Sequence, residues 1–184
     1  INSTGQIIAI VLACDQVAAQ RAANEVIVKY ETLAPIMTME EAIERKSFFS
    51  ATKHLITGDV EESFADPDLV RIEGTIKIHG QEHFYLETQA AIVVPEYEDD
   101  QFTIYAGTQN PSEAQEYVSA ILGIPENRVV CKVLRLGGGF GGKESRSNFL
   151  SSALAVAAHK TGRPVRCQLD RDEDFQMTGQ RHPF

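Results

Sequence analysis

The chain has 184 residues, of which 43% are hydrophobic and 23% are charged, and its formal net charge is −9. At roughly 100–200 residues per domain, this length leaves room for one domain or two small ones, and the composition is that of a folded chain. No apolar run approaches the roughly 20 residues that span a bilayer, and the acidic balance argues against nucleic acid as a partner. Because the sequence begins at Ile1, we expect it to be a piece of a longer protein.

The three cysteines argue against a metal site built by this chain alone. Cys14, Cys131 and Cys167 are odd in number and far apart, each in an apolar, strand-like context, and no CxxC pair accompanies them. We therefore expect neither a zinc site nor an iron–sulfur site within the chain. Free buried thiols favour a reducing compartment such as the cytosol.

The opening of the chain predicts a compact β-α-β piece. The apolar run at residues 6–13 has the length of a strand, and Asp15 is placed to cap an alanine-rich helix. A second strand is predicted at residues 26–30. Residues 38–41 (TMEE) have the spacing of a capping box for a short helix that ends near Lys46.

The middle of the chain changes from a connector to strands. Residues 50–68 have no hydrophobic period and are predicted to link two modules. Alternating or continuous apolar patterns then predict strands at residues 70–78, 83–94 and 102–106. The acidic run at residues 96–100 is predicted to be a solvated turn between two of these strands.

A helix with strong terminal signals follows. Asn110 is predicted as its N-cap, Pro111 as its first residue and Glu113 as its third, and Gly123 is predicted to end it. The apolar stripe of this helix is predicted to consist of Tyr117, Ile121 and Leu122.

The last third of the chain predicts a strand, a glycine loop, a helix and a further strand. The strand at residues 128–136 leads into residues 137–142, and a helix is expected from Lys143 to Lys160 before a strand at 165–169. The inward face of that helix is predicted to contain Leu150, Leu154, Ala157 and Ala158. The fold class predicted for the chain is α+β, with a mixed sheet and packed helices.

The glycine loop, residues 137–142 (GGGFGG), is the strongest chemical signal in the sequence. Glycine permits conformations that bring backbone N–H groups close to a ligand. The N-terminus of the following helix is expected to direct further N–H groups and a positive partial charge to the same place. The loop is therefore predicted to bind an anionic group.

Two nucleotide-binding interpretations of this loop meet difficulties. Gly137, Gly139 and Gly142 satisfy the GxGxxG pattern, but the nearest acidic residue that could bind a ribose is Asp170, later than the roughly 20 residues that a dinucleotide fold requires. A Walker loop would need Ser or Thr where Glu144 stands, and a carboxylate there repels phosphates.

A third interpretation rests on a longer string. Residues 137–144 (GGGFGGKE), followed by Ser145 and Arg146, resemble the molybdenum-domain signature of the molybdenum hydroxylase family that contains xanthine dehydrogenase and aldehyde oxidase. Other segments similar to that family occur in the family's order: GQEHFYLET at 80–88, TQN at 108–110 and GRPVRCQLDRDED at 162–174. The resemblance covers essentially the whole chain.

The resemblance implies a module organisation and a set of partners. Residues 1–49 would be the C-terminal part of an α/β hammerhead module, residues 50–68 a linker, and residues 69–184 the N-terminal part of a molybdopterin-binding domain. The full-length parent would hold molybdenum-molybdopterin, FAD and two [2Fe–2S] clusters. It would be a homodimer in the cytoplasm or the peroxisome, with no nucleic acid or membrane as partner.

The resemblance also implies an activity. Members of the family hydroxylate purines, aldehydes or N-heterocycles with oxygen taken from water, at a molybdenum ion held by a pterin dithiolene. The expected activity of the parent is oxidation of hypoxanthine and xanthine to urate. Aldehyde oxidation, a nucleotide-binding module using the GxGxxG loop and a non-catalytic remnant of the fold remain open alternatives.

The resemblance assigns roles to the loop and to one glutamine. Gln109 would hydrogen-bond an oxygen ligand of molybdenum, and backbone N–H groups from Gly138, Gly139 and Gly141 would approach the cofactor, with that of Gly141 near the metal oxygen. Phe140 would pack edge-on against the substrate ring, so that Gln109 and Phe140 both lie near the metal.

Glu144 is the residue that bears on the substrate. In the xanthine-oxidising branch of the family a glutamate at this place binds the purine, whereas aldehyde oxidases usually carry an apolar residue there. His83 and Glu87 fall on one face of a predicted strand and are expected to support the cofactor wall. Lys143 and Arg146 are expected to be structural or to act electrostatically on the cofactor. The family's general base lies outside this chain, which alone is expected to be inactive.

Overall fold

The structure, a computed structural model, describes residues 1–50, 53–98 and 100–184. Residues 51 and 52 of the predicted linker and residue 99 of the predicted acidic turn lie outside the described residues. The chain divides into a larger unit, formed by Ile1–Glu25 with Lys77–Phe184, and a smaller unit, Val26–Ile76. These units do not share the boundaries of the predicted modules, which stay a prediction. The candidate site residues all lie in the larger unit.

A four-stranded mixed sheet organises the larger unit. Its strands are β1 (Ala90–Pro95), β2 (Phe102–Ala106), β3 (Val129–Lys132) and β4 (Val165–Gln168), in the spatial order β3-β2-β1-β4. β1 is antiparallel to both β2 and β4, whereas β2 and β3 are parallel. β1 and β2 form an antiparallel hairpin, and a parallel pair needs a longer crossover, which a helix supplies here.

The described residues also form helices, which begin and end as follows: α1 (Gln16–Asn24), α2 (Met39–Glu44), α3 (Val60–Ala65), α4 (Pro111–Leu122), α5 (Arg146–Thr161) and α6 (Arg171–Met177). α4 is the crossover between β2 and β3, and it packs against α5, which lies across β1. A single 3₁₀ turn at Glu126–Arg128 leads into β3. Helices together with a mixed sheet confirm the predicted α+β class.

The hydrophobic core lies between the sheet and the helices α4 and α5. Along β1 the burial alternates, so that one face of this strand is buried against α5. The core consists of Ala91, Val93, Phe102, Ile104, Ala106, Val118, Val129, Leu150, Leu154, Ala155 and Ala158. The predicted inward face of α5 is confirmed, because all four of its predicted residues are buried.

The apolar stripe predicted for α4 is largely wrong. Tyr117 is 44% exposed and Ile121 is 54% exposed, whereas Ala114 and Val118 are fully buried. The buried side of α4 packs against α5 and β3. Leu122 does pack against the core.

Local signals predict helix ends well. Asn110 accepts a hydrogen bond from the Glu113 N–H, and Gly123 ends α4 in the left-handed conformation with φ of 67°. Asp15 likewise caps α1 by accepting from the Ala18 N–H. At α2, Thr38 is the N-cap as predicted, but the partner glutamate accepts from the N–H of Met37 rather than that of the cap.

Several predicted strands do not form. Residues 6–13, 26–30 and 70–78 have no strand partner in the described part of the chain and are not strands. The strand predicted at 83–94 begins only at Ala90, and the one predicted at 128–136 ends at Lys132. An apolar pattern specifies a strand only where another strand is available to pair with it, which these segments lack here.

The cysteines are free, but they are less buried than expected. Cys131 and Cys167 are half-buried beside the core, whereas Cys14 is exposed. Burial raises the pKa of the Cys131 thiol to about 11, so it remains protonated at neutral pH.

Among the described residues, no group of three or more His, Cys, Asp or Glu is arranged to hold a metal ion. None of the described helices combines the length and the apolar character needed to cross a membrane.

Replacing Leu154 by alanine is expected to lower the free energy of unfolding by about 2–5 kcal/mol, because the side chain is buried between α5 and the sheet and its removal leaves a cavity. Hydrogen exchange at the amides of α5 in the full-length protein that carries this chain measures the change. Lys160→Ala, on the exposed end of the same helix, should change it by no more than about 0.5 kcal/mol. Equal effects of the two variants on the free energy of unfolding would contradict the placement of Leu154 in the core.

Candidate functional site: the glycine loop and Gln109

Two loops meet at one edge of the sheet. Because β2 and β3 are parallel neighbours, the segments that leave their carboxyl ends emerge on the same side. One is the segment 107–110, which connects β2 to α4, and the other leads to the glycine loop. In open sheets with parallel strands, such an edge is where ligands commonly bind.

The Gln109 side chain binds the backbone of the glycine loop. Its Oε1 accepts hydrogen bonds from the N–H groups of Gly141 at 3.0 Å and Lys143 at 3.2 Å. Its own backbone N–H donates to the Lys143 carbonyl at 2.8 Å. Since both acceptor positions of the amide oxygen are used, the Nε2 protons are left to donate on the opposite side.

This contact leaves no room for a side chain at Gly139. A Cβ atom there would lie 2.5 Å from the Gln109 Oε1, so only glycine permits the approach. Gly142 is enclosed in the same way, because its Cβ would lie 2.6 Å from the ring of Tyr85. A Cβ at Gly137 would clash with the Glu87 Cβ, so three of the five glycines are required by close packing of the loop against two other segments.

Phe140 stands out from the loop. Its φ is +54°, a left-handed conformation that costs a residue other than glycine about 1–3 kcal/mol. Its side chain is 74% exposed and so is not a plug in the core. The backbone is strained at the one loop position that carries a side chain, and the strain presents the phenyl ring to the surroundings.

Three consecutive N–H groups of the loop have no acceptor. Among the described residues, the structure gives no hydrogen-bond partner to the N–H of Gly138, Gly139 or Phe140. The Gly141 N–H, by contrast, is used by Gln109. Its predicted approach to a metal oxygen therefore has to compete with Gln109, whereas the other three groups are free to bind a ligand.

The helix after the loop starts later than predicted. α5 begins at Arg146 rather than at Lys143, and its N-cap Ser145 makes no side-chain hydrogen bond to the helix. Three residues therefore separate the last loop glycine from the helix. A dinucleotide site needs the helix to open directly from the glycine turn, so this spacing disfavours the GxGxxG interpretation.

Glu144 lies in that three-residue connection, and its side chain is exposed. The preceding carbonyl, that of Lys143, accepts hydrogen bonds from the hydroxyls of Thr108 and Ser147, both at 3.1 Å. The carbonyl of Glu144 itself accepts from the Asn148 side chain at 3.4 Å. The backbone at this position is thus anchored, while the carboxylate is free to meet a ligand.

An ion pair between the buried Lys143 and Glu87, whose side chain is 34% exposed, supports the loop. The Lys143 ammonium lies 2.6 Å from Glu87 Oε2 and is fully buried, 4.8 Å from the centre of the Tyr85 ring. Burial alone would raise the pKa of Glu87, but the hydrogen bonds from Lys143 and from the Gly137 N–H outweigh it and hold the pKa below its usual value. Glu87 therefore supports the loop through Lys143 and Gly137, and the His83 ring packs separately against Gly142.

A buried hydrogen-bond network completes the support. The Tyr85 hydroxyl donates to Asp174 at 2.6 Å, and the Gln89 backbone N–H donates to the other carboxylate oxygen at 2.6 Å. The Gln89 side chain reaches the Gly142 carbonyl at 2.9 Å. Burial, followed by the hydrogen bond to Asp174, raises the pKa of Tyr85 to about 12, so its hydroxyl remains a donor at neutral pH.

The structure thus brings together Gln109 and the predicted glycines, and it exposes Phe140 and Glu144 beside them. The roles of these residues stay predictions. Sequence reasoning did not identify Asp174 or Gln89, because neither belongs to a periodic pattern and their partners lie 85 and 53 residues away. The available signal was their position: Asp174 ends the family-like segment at 162–174, and Gln89 directly follows the one at 80–88.

Residues 41–184 match the sequence profile of a family described as the molybdopterin cofactor-binding domain. The chain belongs to this family. The resemblance carried by the GGGFGGKE string is confirmed at that level.

Relatives of this domain include large oxidoreductases. Xanthine dehydrogenase/oxidase of Gallus gallus is 50% identical over 184 residues, which are 100% of this chain and 14% of that protein. Aldehyde oxidase 2 of Cavia porcellus is 49% identical over 181 residues, 98% of this chain and 14% of that protein. The chain therefore spans about one seventh of the length of these relatives, which are larger polypeptides.

A solved structure shares the fold of this molybdopterin-binding domain. The aldehyde oxidoreductase of Desulfovibrio gigas superposes with a TM-score of 0.77 and 25% identity, over 93% of this chain and 19% of that one. The fold is therefore that of molybdenum hydroxylases.

Replacing Tyr85 by phenylalanine should lower the free energy of unfolding by about 1–3 kcal/mol, because it leaves an oxygen of the buried Asp174 short of its strongest donor. Hydrogen exchange at the amides of α6 and the glycine loop should accelerate accordingly. Tyr105→Phe is the matched control, since that ring lies beside Lys132 on the sheet and its loss of a hydroxyl should leave both segments unchanged. Unchanged exchange in the Tyr85 variant would contradict the network.

Proposed function

We propose that the full-length protein carrying this chain is a molybdenum hydroxylase of the xanthine dehydrogenase type. It would oxidise hypoxanthine and xanthine to urate with oxygen derived from water. This chain would contribute contacts to the cofactor and the substrate, while the general base would come from elsewhere in the protein.

The observation that carries the proposal is the orientation of Gln109. Its amide oxygen is occupied by two loop N–H groups, so its Nε2 is the group available to an oxygen ligand of the cofactor. The free N–H groups of Gly138, Gly139 and Phe140 add three donors on the same loop. Donors alone, fixed by backbone and by glycine packing, suit an anionic group rich in oxygen and sulfur acceptors. The residues present therefore fit molybdopterin.

When bound, the cofactor supplies the oxygen that is added to the substrate and accepts two electrons from it. The residues of this chain act around that step. Gln109 donates a hydrogen bond that orients an oxygen ligand, and Phe140 offers an exposed ring edge against which a flat heterocycle packs. Glu144 extends a carboxylate that binds a purine N–H and stabilises charge developing on the ring.

Glu144 is also what favours a purine over an aldehyde. An aldehyde has no ring N–H to satisfy a carboxylate, and an unpaired charge in a closed site is costly. Xanthine dehydrogenases predominate among the relatives, although aldehyde oxidase 2 is nearly as similar, and this side chain supports the same choice. Aldehyde oxidation is the alternative function.

The remaining partners follow from the same proposal. FAD and two [2Fe–2S] clusters would lie in the rest of the polypeptide, which would form a homodimer in the cytoplasm or the peroxisome. The module boundaries at residues 49 and 68 are proposed on the same ground.

Metal analysis of the full-length protein tests the proposal directly. We expect molybdenum and a pterin released on denaturation, because the loop donors fit that cofactor. NAD should not protect the glycine loop from hydrogen exchange. A protein that held no molybdenum but bound NAD through this loop would contradict the proposal and favour the nucleotide-binding alternative.

Glu144→Val tests the substrate. We expect it to lower kcat/KM for xanthine by about 10²-fold, as removal of a group that stabilises transition-state charge does, and to leave aldehyde oxidation within about threefold of the original because that reaction does not need the carboxylate. Steady-state kinetics with both substrates measure this. Glu116→Val, on the exposed face of α4, is the control and should change neither. Equal losses on both substrates in the Glu144 variant would contradict the assigned role.

A further inference from the structure

The two ends of the glycine loop are fastened to the same carboxylate oxygen. Glu87 Oε2 accepts from the N–H of Gly137, the first residue of the loop, at 3.0 Å, and binds the ammonium of Lys143, the first residue after the loop, at 2.6 Å. The Glu87 backbone N–H also donates to the Gly137 carbonyl at 3.1 Å. We name Glu87 and Lys143 the loop clasp.

The clasp fixes the residue that orients Gln109. The backbone of Lys143 makes two hydrogen bonds with Gln109, one to the amide oxygen at 3.2 Å and one from the backbone N–H at 2.8 Å. A shift of Lys143 therefore moves the Gln109 amide directly. Glu87 thus holds the side chain of Lys143, and the backbone of Lys143 in turn holds Gln109, whose amide is proposed to contact the cofactor.

Stability alone does not explain a lysine at this position. The Lys143 side chain has no exposed surface, and removing an ammonium from water costs about as much as a good ion pair returns. A well-packed apolar side chain in contact with Tyr85 would serve the fold equally well. What an apolar side chain could not supply is a fixed link to the carboxylate that also binds Gly137.

We propose that Glu87 and Lys143 are positioning residues for the reaction, which act through the Gln109 amide. The inference rests on the proposed function. Loosening the clasp should misorient Gln109 without removing any group that touches substrate, and misplacement by about 1 Å can lower a rate by about 10²-fold.

Two variants of the full-length protein test this. Glu87→Asp keeps both charges but shortens the carboxylate arm by one methylene group, and the pair E87Q/K143M removes both charges together so that none is left buried alone. We expect both to lower kcat for xanthine by roughly 10- to 100-fold with KM changed less than about threefold, and with molybdenum content retained. Amides of residues 137–143 should exchange faster, in the metal-free protein as well as in the loaded enzyme.

A further substitution separates positioning from general damage. If the clasp acts through Gln109, Gln109→Ala should lower kcat much less in the clasp variants than in the original protein, by less than about twofold, because the losses overlap. If the loss of kcat caused by Gln109→Ala instead multiplies with the loss caused by the clasp variant, the proposal is overturned. Should the neutral pair fail to accumulate, Glu87→Asp decides the question alone, since it retains the ion pair.

The control is Lys132→Met. That lysine also lies over a tyrosine ring, 5.4 Å from the centre of Tyr105, so it matches the loss of a cation–π contact without touching the loop. It should leave kcat and loop exchange unchanged.

If the original protein holds no molybdenum, the proposed function fails. If it holds molybdenum and oxidises xanthine while the clasp variants keep the original kcat and exchange, only the clasp inference fails.

Discussion

The glycine loop is held by side chains that reach it from other segments, because no helix or sheet ladder includes it. Backbone groups outside regular structure need partners wherever water is excluded. Glu87 satisfies the first N–H of the loop, and Gln109 satisfies those of Gly141 and of Lys143, the residue after the loop. Among the described residues, the N–H groups at positions 138–140 are left without protein acceptors, so the same contacts that fold the loop also define what it can bind.

The sheet provides the frame for these contacts. Parallel pairing of β2 and β3 brings the segment before α4 and the glycine loop to one edge, although they are more than 30 residues apart. The buried Tyr85 then fills the space behind the loop, with its ring against Gly142 and its hydroxyl on Asp174. Tyr85, Asp174 and the Gln89 amide nitrogen are thus hydrogen-bonded to one another and to the loop, whereas Gln89 Oε1 and His83 Nδ1 are buried without a hydrogen-bond partner among the described residues.

Whether a feature could be predicted from the sequence depended on how close together in the chain the residues that cause it lie. The cap at Asn110 and the stop at Gly123 are set by a few neighbouring residues, and both are confirmed. The strands expected at residues 6–13 and 26–30 depend on partners distant in sequence, and they do not form. The loop and Gln109 were found through a resemblance, whereas the Glu87–Lys143 pair spans 56 residues and leaves no pattern that a local reading could detect.

The strained backbone at Phe140 bears on how this sequence can change. Asparagine or glycine would adopt its φ of +54° at lower cost, so selection for heat resistance alone would replace the phenylalanine. Such a replacement would also delete the only side chain that the loop projects. Libraries screened for thermal tolerance without a catalytic assay should therefore drift at this position, and consensus design applied to the domain should leave it untouched.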